Sequence, residues 1–155
     1  MTEQQNIIDR LNTEFKNAMK SGDKVRLETL RSLRAVLKDK EIALRGQGKT
    51  LTDEDILATI TSAAKKRRES VEEYTKAGRN DRADEERKEL EIIQEYLPEQ
   101  LSREQIEEKV QSVINRTGAA SMKDIGKVMS AVMPELKGRA DGKEVQSIVK
   151  RLLGG

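Results

Sequence analysis

Apolar side chains recur along the chain at intervals of three and four, the spacing that lines one face of an α-helix rather than the alternation of a strand. Ile7, Ile8, Leu11, Phe15, Ala18 and Met19 keep this interval until Ser21 and Gly22 interrupt it, and Thr2 with Gln5 predicts the helix start. Asp23 predicts the cap of a second helix reaching about Arg45, with Leu27, Leu30, Leu33, Leu37 and Leu44 on one side, broken by Gly46 and Gly48. Thr52 opens a third through Ile56, Leu57, Ile60, Ala63, Ala64, Val71 and Tyr74, which ends at Ala77 and Gly78. A fourth is expected from about Asp81 to Leu97, where Pro98 stops it.

Beyond Pro98 the style changes. Ser102 with Gln105 predicts a capping box for a helix through Ile106, Val110, Val113 and Ile114, closed by Gly118. Ser121 starts another, with Ile125, Val128, Met129 and Val132 inside and an end near Pro134. Gly138 marks a turn, and Asp141 with Glu144 predicts a further box before a last helix through Val145, Ile148, Val149 and Leu152. These three helices are short, about 11 to 16 residues, whereas the second and third exceed 20. The fold class expected is all-α. A bundle of long helices over residues 1–97 precedes a small three-helix domain over 98–155. Lys123 to Met129 and Lys143 to Val149 share a pattern of Lys, acid and apolar residues, which is better read as common helix grammar than as a repeat.

Composition sharpens this picture. Charged residues make up 37% of the chain and the hydrophobic set only 35%, with one Phe, two Tyr and no Trp, so the core must be thin and aliphatic. The absence of cysteine removes disulfides, thiolate nucleophiles and zinc–thiolate sites, and fits a reducing compartment. No stretch reaches the roughly 20 apolar residues of a spanning helix, and the polar start MTEQQNIIDR has no apolar signal core. A cytoplasmic protein without membrane partners is expected. Net charge is only +2, but its distribution is uneven: residues 1–98 hold twenty basic and twenty acidic side chains, residues 109–155 nine basic and four acidic.

Catalytic machinery is hard to find. The chain has no His and no Cys, and Glu72, Glu73, Glu85, Glu86, Glu107 and Glu108 lie among Lys and Arg on helices, as solvated surface charge does. The GQGKT run at 46–50 lacks the first glycine of a phosphate loop, since position 43 is Ala, and follows a helix rather than a strand. No cofactor or metal is implied. Lys65, Lys66, Arg67 and Arg68 point in four directions at about 100° per residue, so they cannot form one phosphate-binding face.

Arg67 and Arg34 instead fall inside apolar stripes, as does Glu86. A charge in that position must be paired or must snorkel outward. Arg34 or Arg67 is therefore expected to bond a carboxylate of another helix, with Glu86 the first candidate. In the second half, Lys123 and Lys127 lie opposite the stripe of their helix, Lys143 and Lys150 opposite theirs, and Lys137 and Arg139 in the intervening turn. These six could together neutralise backbone phosphates, while by composition alone solubilising surface lysine is the stronger reading. No aromatic side chain is available there for base stacking, which points to shape and phosphate recognition.

The segments Tyr96-Leu97-Pro98-Glu99-Gln100-Leu101-Ser102, Gly126-Lys127-Val128-Met129 and Gly138-Arg139-Ala140-Asp141-Gly142-Lys143-Glu144-Val145 resemble the YqeY family, as do Lys65 to Glu69 and Arg79-Asn80-Asp81. The similarity runs through the whole chain in matching order. The C-terminal half resembles the tail domain of the B subunit of the glutamyl/aspartyl-tRNA amidotransferase. That resemblance implies a helical bundle followed by a three-helix tail, and association with tRNA while chemistry occurs elsewhere. The function expected is that of a non-catalytic tRNA-binding or tRNA-enzyme accessory protein. The rivals are a protein–protein adaptor for a tRNA synthetase or amidotransferase component and, with less support, a carbon–nitrogen ligase using glutamine as amido donor. The last needs an activated nucleophile that the sequence does not supply.

Overall fold

A computed structural model describes residues 3–154, with side chains placed from residue 7 onward. Thr2 and the Gln5 side chain, expected to open the first helix, lie outside the described residues. Among those described there are seven α-helices, one 3-10 turn and no strand, so the protein is all-α. The chain divides into two compact units, Met1–Leu97 and Pro98–Gly155.

The first unit holds α1 (Glu3–Ser21), α2 (Lys24–Gly46), α3 (Asp53–Lys76) and α4 (Asn80–Gln94). Local chemistry fixes the ends. The Asp23 side chain accepts from the Arg26 amide at 3.1 Å, and Thr52 and Asp55 form a reciprocal capping box. Backbone bonds from Thr52, then its hydroxyl, hold the Asp55 carboxyl below its ordinary range. The core is aliphatic apart from Tyr96: Leu11, Leu30, Leu33, Leu37, Ile56, Ile60, Ala64, Ile92 and Ile93 interlock around it.

Helix α4 stops at Gln94, three residues before the Leu97 end read from the sequence. The amides of Glu95, Tyr96 and Leu97 bond to carbonyls three residues back, which tightens the chain into a turn. Leu97 precedes Pro98, a position that disfavours helical backbone. This turn drops the Tyr96 ring into the core, where its hydroxyl donates to the Glu14 carboxylate and Arg10 covers the ring at 4.2 Å. Burial first, and then Glu14, push the Tyr96 phenol well above its ordinary value. Arg26 bridges Glu14 at 3.2 Å and Glu95 at 3.1 Å, tying α1, α2 and the end of α4 together.

Arg67 sits between α3 and α4, with Nη1 3.5 Å from Glu86 and Nε 3.1 Å from Glu89. The three side chains are 28%, 19% and 28% exposed. Arg67 Nε and one Glu86 oxygen are buried without a directed hydrogen bond, so charge attraction is the main tie. Arg34 differs from the ion pair expected of it. Its Nε donates to the Asn12 side chain at 3.0 Å and its guanidinium lies 4.1 Å from the centre of the Phe15 ring. The residue is exposed, so an amide and a ring face are enough to hold it.

The second unit holds α5 (Arg103–Thr117), a 3-10 turn (Met122–Asp124), α6 (Ile125–Leu136) and α7 (Gly142–Leu152). Its core joins Ile106, Val110 and Val113 of α5 to Val128, Val132 and Leu136 of α6 and Val145, Ile148 and Val149 of α7. Ser102 and Gln105 form a reciprocal box, and Gly118 ends α5 in the left-handed region. Helix α6 ends at Leu136, near Pro134 as read, with the proline exposed in the last turn and Leu136 fully buried. One local reading is corrected. Asp141 caps α7 by accepting from the Lys143 amide at 3.4 Å, but Glu144 faces Arg103 at 3.9 Å instead of completing a box.

The two segments flanking this unit's helices are bonded to one another. Gln100 Nε2 donates to the Pro98 carbonyl at 2.8 Å and to the Gly138 carbonyl at 2.7 Å. The Leu101 amide donates to the Arg139 carbonyl at 2.9 Å, and Arg139 Nε returns a bond to the Glu99 carbonyl at 3.3 Å. Gly138 is buried with φ of 76°, a conformation other residues adopt only with strain.

Two outcomes follow from these ties. Gln100→Ala removes the two hydrogen bonds that the Gln100 amide makes in the clamp and is expected to cost about 1–2 kcal/mol, read as a lower urea midpoint; an unchanged midpoint contradicts the clamp. Burial raises the Glu89 carboxyl above its ordinary value, more than Arg67 lowers it. Its folded form therefore holds the proton more tightly, and this contribution to stability is present below about pH 4.5 and lost as pH rises through the shifted value. Glu89→Gln should gain on the parent protein between pH 4 and 7 in urea titrations. The depressed Asp55, Asp81 and Asp124 carboxyls act oppositely but cancel in this difference; a difference that does not change with pH contradicts the assignment.

Candidate nucleic-acid interface

Helix α7 buries Val145, Ile148 and Val149, which turns Lys143, Gln146, Ser147, Lys150 and Arg151 outward to line a shallow groove. Lys143 and Lys150 are seven residues apart, two helical turns, so they stand on one face roughly 10 Å apart along the axis. Arg151 was not among the six residues singled out from the sequence. Its spacing of eight from Lys143 and four from Ser147 was the signal available.

The other four residues occupy different elements. Lys123 is in the 3-10 turn and Lys127 in the first turn of α6, one helical turn apart and both exposed. Lys137 is exposed at the end of α6. Arg139 is partly buried, and its Nε is engaged with the Glu99 carbonyl, so it serves the clamp before any ligand. The α7 groove thus gathers two of the six. Arg34, Arg67 and Glu86 belong to the first unit.

The acids of residues 109–155 have work inside the fold. Asp124 accepts from the Ala120 amide at 2.9 Å, and that bond, with lesser help from Lys127, holds its carboxyl below the ordinary range. Glu135 meets Arg116 at 3.4 Å, Glu144 faces Arg103, and Asp141 caps α7. Glu107 of α5 takes both Arg103, at 3.6 Å, and Arg151. Carboxylates are therefore drawn towards arginines and backbone amides. Exposed ammonium groups on a small helical scaffold can neutralise backbone phosphates, whereas residues 98–155 contain no Phe, Tyr or Trp on which a base could stack.

The family model described as Yqey-like protein matches residues 8–153. A fungal protein named Altered inheritance of mitochondria protein 41, mitochondrial, from Pyrenophora tritici-repentis is 29% identical over 96% of this chain and 81% of its own length. Proteins of the same name from Vanderwaltozyma polyspora and Lachancea thermotolerans are 33% and 34% identical, over 74% and 58% of this chain. The chain spans 64% and 47% of the lengths of those two relatives. Among the described residues no helix is long and apolar enough to cross a membrane. With nearly its whole length matched by the family model, the chain belongs to the YqeY family.

Proposed function

We propose that this chain is a non-catalytic tRNA-binding or tRNA-enzyme accessory protein, which grips folded RNA through the lysines of residues 98–155. The observation that carries the reading is the α7 groove, where Lys143 and Lys150 share a face with Arg151. Lys123, Lys127 and Lys137 add phosphate contacts from other elements of the same unit, and Arg139 holds the turn that follows Lys137. Without aromatic side chains the unit reads the phosphate backbone and its shape rather than base identity. A chain with no His and no Cys offers little for glutamine hydrolysis, which supports a binding role over an amidotransferase role. The same reading places the protein in the cytoplasm, on the strength of its polar, cysteine-free composition. The fungal relatives, by their names, are mitochondrial.

Electrophoretic mobility shift with bulk tRNA across a salt series tests this. The parent protein should bind at low salt and weaken steeply as salt rises. The double variant Lys143→Glu, Lys150→Glu should bind more weakly at low salt, with a logarithmic salt slope shallower by roughly 1.5. Equal affinity and slope for parent and variant would remove the α7 groove from the mechanism.

A second reading, a protein–protein adaptor for a tRNA synthetase or amidotransferase component, draws support from an open trough of about 650 Å³ on the first unit, lined by Ser32 and Val36 of α2 and by Ala58 and Ser62 of α3. Association with such a component that survives nuclease treatment would favour it over the RNA reading.

A further inference from the structure

The first unit carries a surface that the RNA reading does not use. Helices α2 and α3 leave between them an open trough of about 650 Å³, with Val36, Ala63 and Ile93 as its more buried lining. Between the charged side chains at its ends the exposed positions Ser32, Ala58 and Ser62 are small, which keeps the middle of the trough open. The Thr59 hydroxyl is already bonded to the Asp55 carbonyl at 2.7 Å.

Charge along the trough is ordered. Asp39 and Asp55 stand with Lys40 at one end, and Lys66 stands with Arg67 at the other. Asp55 and Lys66 are eleven residues apart on α3, which is three turns, or roughly 16 Å. Much of the surrounding surface charge is matched within its own helix, as in Lys38–Glu41 and Arg45–Glu41. Among the described residues neither Asp39 nor Lys66 has an ion-pair partner. A channel with small exposed side chains along its middle, and with Asp39 and Lys66 unpaired at its two ends, is complementary to one common object. That object is a short amphipathic helix with acidic residues in its first turn and basic residues in its last, the order helices themselves favour.

We propose that the α2–α3 trough docks a three-turn helix of a partner protein. The partner helix lies antiparallel to α3, with its acidic first turn at Lys66 and its basic last turn at Asp39 and Asp55. Large aliphatic side chains on its inner face fill the space left by Ser32, Ala58 and Ser62. This surface is independent of the lysines on residues 98–155, so the two readings stand or fall separately.

The test uses the full-length chain and two fluorescent 14-residue helical peptides with the same leucine face. One carries Glu in the first turn and Lys in the last, the other the reverse, and binding is followed by fluorescence anisotropy. The first peptide should bind roughly tenfold tighter than the second, the discrimination expected of two or three partly exposed charge pairs. Ala58→Trp should abolish binding by filling the trough from an exposed position. The double variant Asp39→Lys, Lys66→Glu should invert the preference between the peptides. Equal binding of both peptides, binding indifferent to these variants, or no binding of either would overturn the proposal. So would a dimer of the chain alone, seen by sedimentation, that Ala58→Trp dissolves, since the trough would then belong to a second copy.

Discussion

Each helix of this protein has only a narrow apolar stripe to bury, and that shortage governs how both units are held. With few aromatic side chains, the cores are layers of Leu, Ile and Val that exclude water but specify orientation weakly. Orientation comes from polar ties at the margins of those layers. In the first unit Arg26 binds Glu14 and Glu95 while Tyr96 reaches Glu14 from within the core. In the second, Gln100 and Arg139 stitch the segment before α5 to the turn before α7. A core of this kind needs such directed bonds because its side chains could slide along one another at small cost.

These ties give the family-like segments a physical meaning. Tyr96 is a core ring, Gln100 a bridge between two carbonyls, Gly138 a buried left-handed turn and Asp141 a cap. Much of the signature is therefore occupied in building the scaffold. On α7 the motif ends in surface positions, where Lys143 and the following Lys150 are exposed. Scaffold and candidate interface thus divide the motif between them.

Helix positions were legible in the sequence because their signals are local. Asp23, Thr52 and Ser102 each cap a helix through bonds spanning three residues, and the three- and four-residue apolar interval picks out the buried positions. Where a distant residue decided the outcome, the sequence was silent or misleading. Glu144 faces Arg103 and leaves the box expected with Asp141 incomplete. Arg34 found Asn12 and Phe15, twenty-two and nineteen residues away, in place of a carboxylate. The Gln100 to Gly138 bond spans 38 residues and left no local trace. The lysine faces were readable from helical phase, but which of them share a groove depended on the packing of three helices.

For folded RNA to be gripped as proposed, α7 must present its cations to a polyphosphate. The most direct measurement is a titration of isotopically labelled protein with tRNA, followed residue by residue in amide NMR spectra. Shifts concentrated on residues 143–151, with a lesser group at 123–127, are the predicted result. Shifts confined to residues 3–97, or none at concentrations where tRNA is in excess, would contradict it.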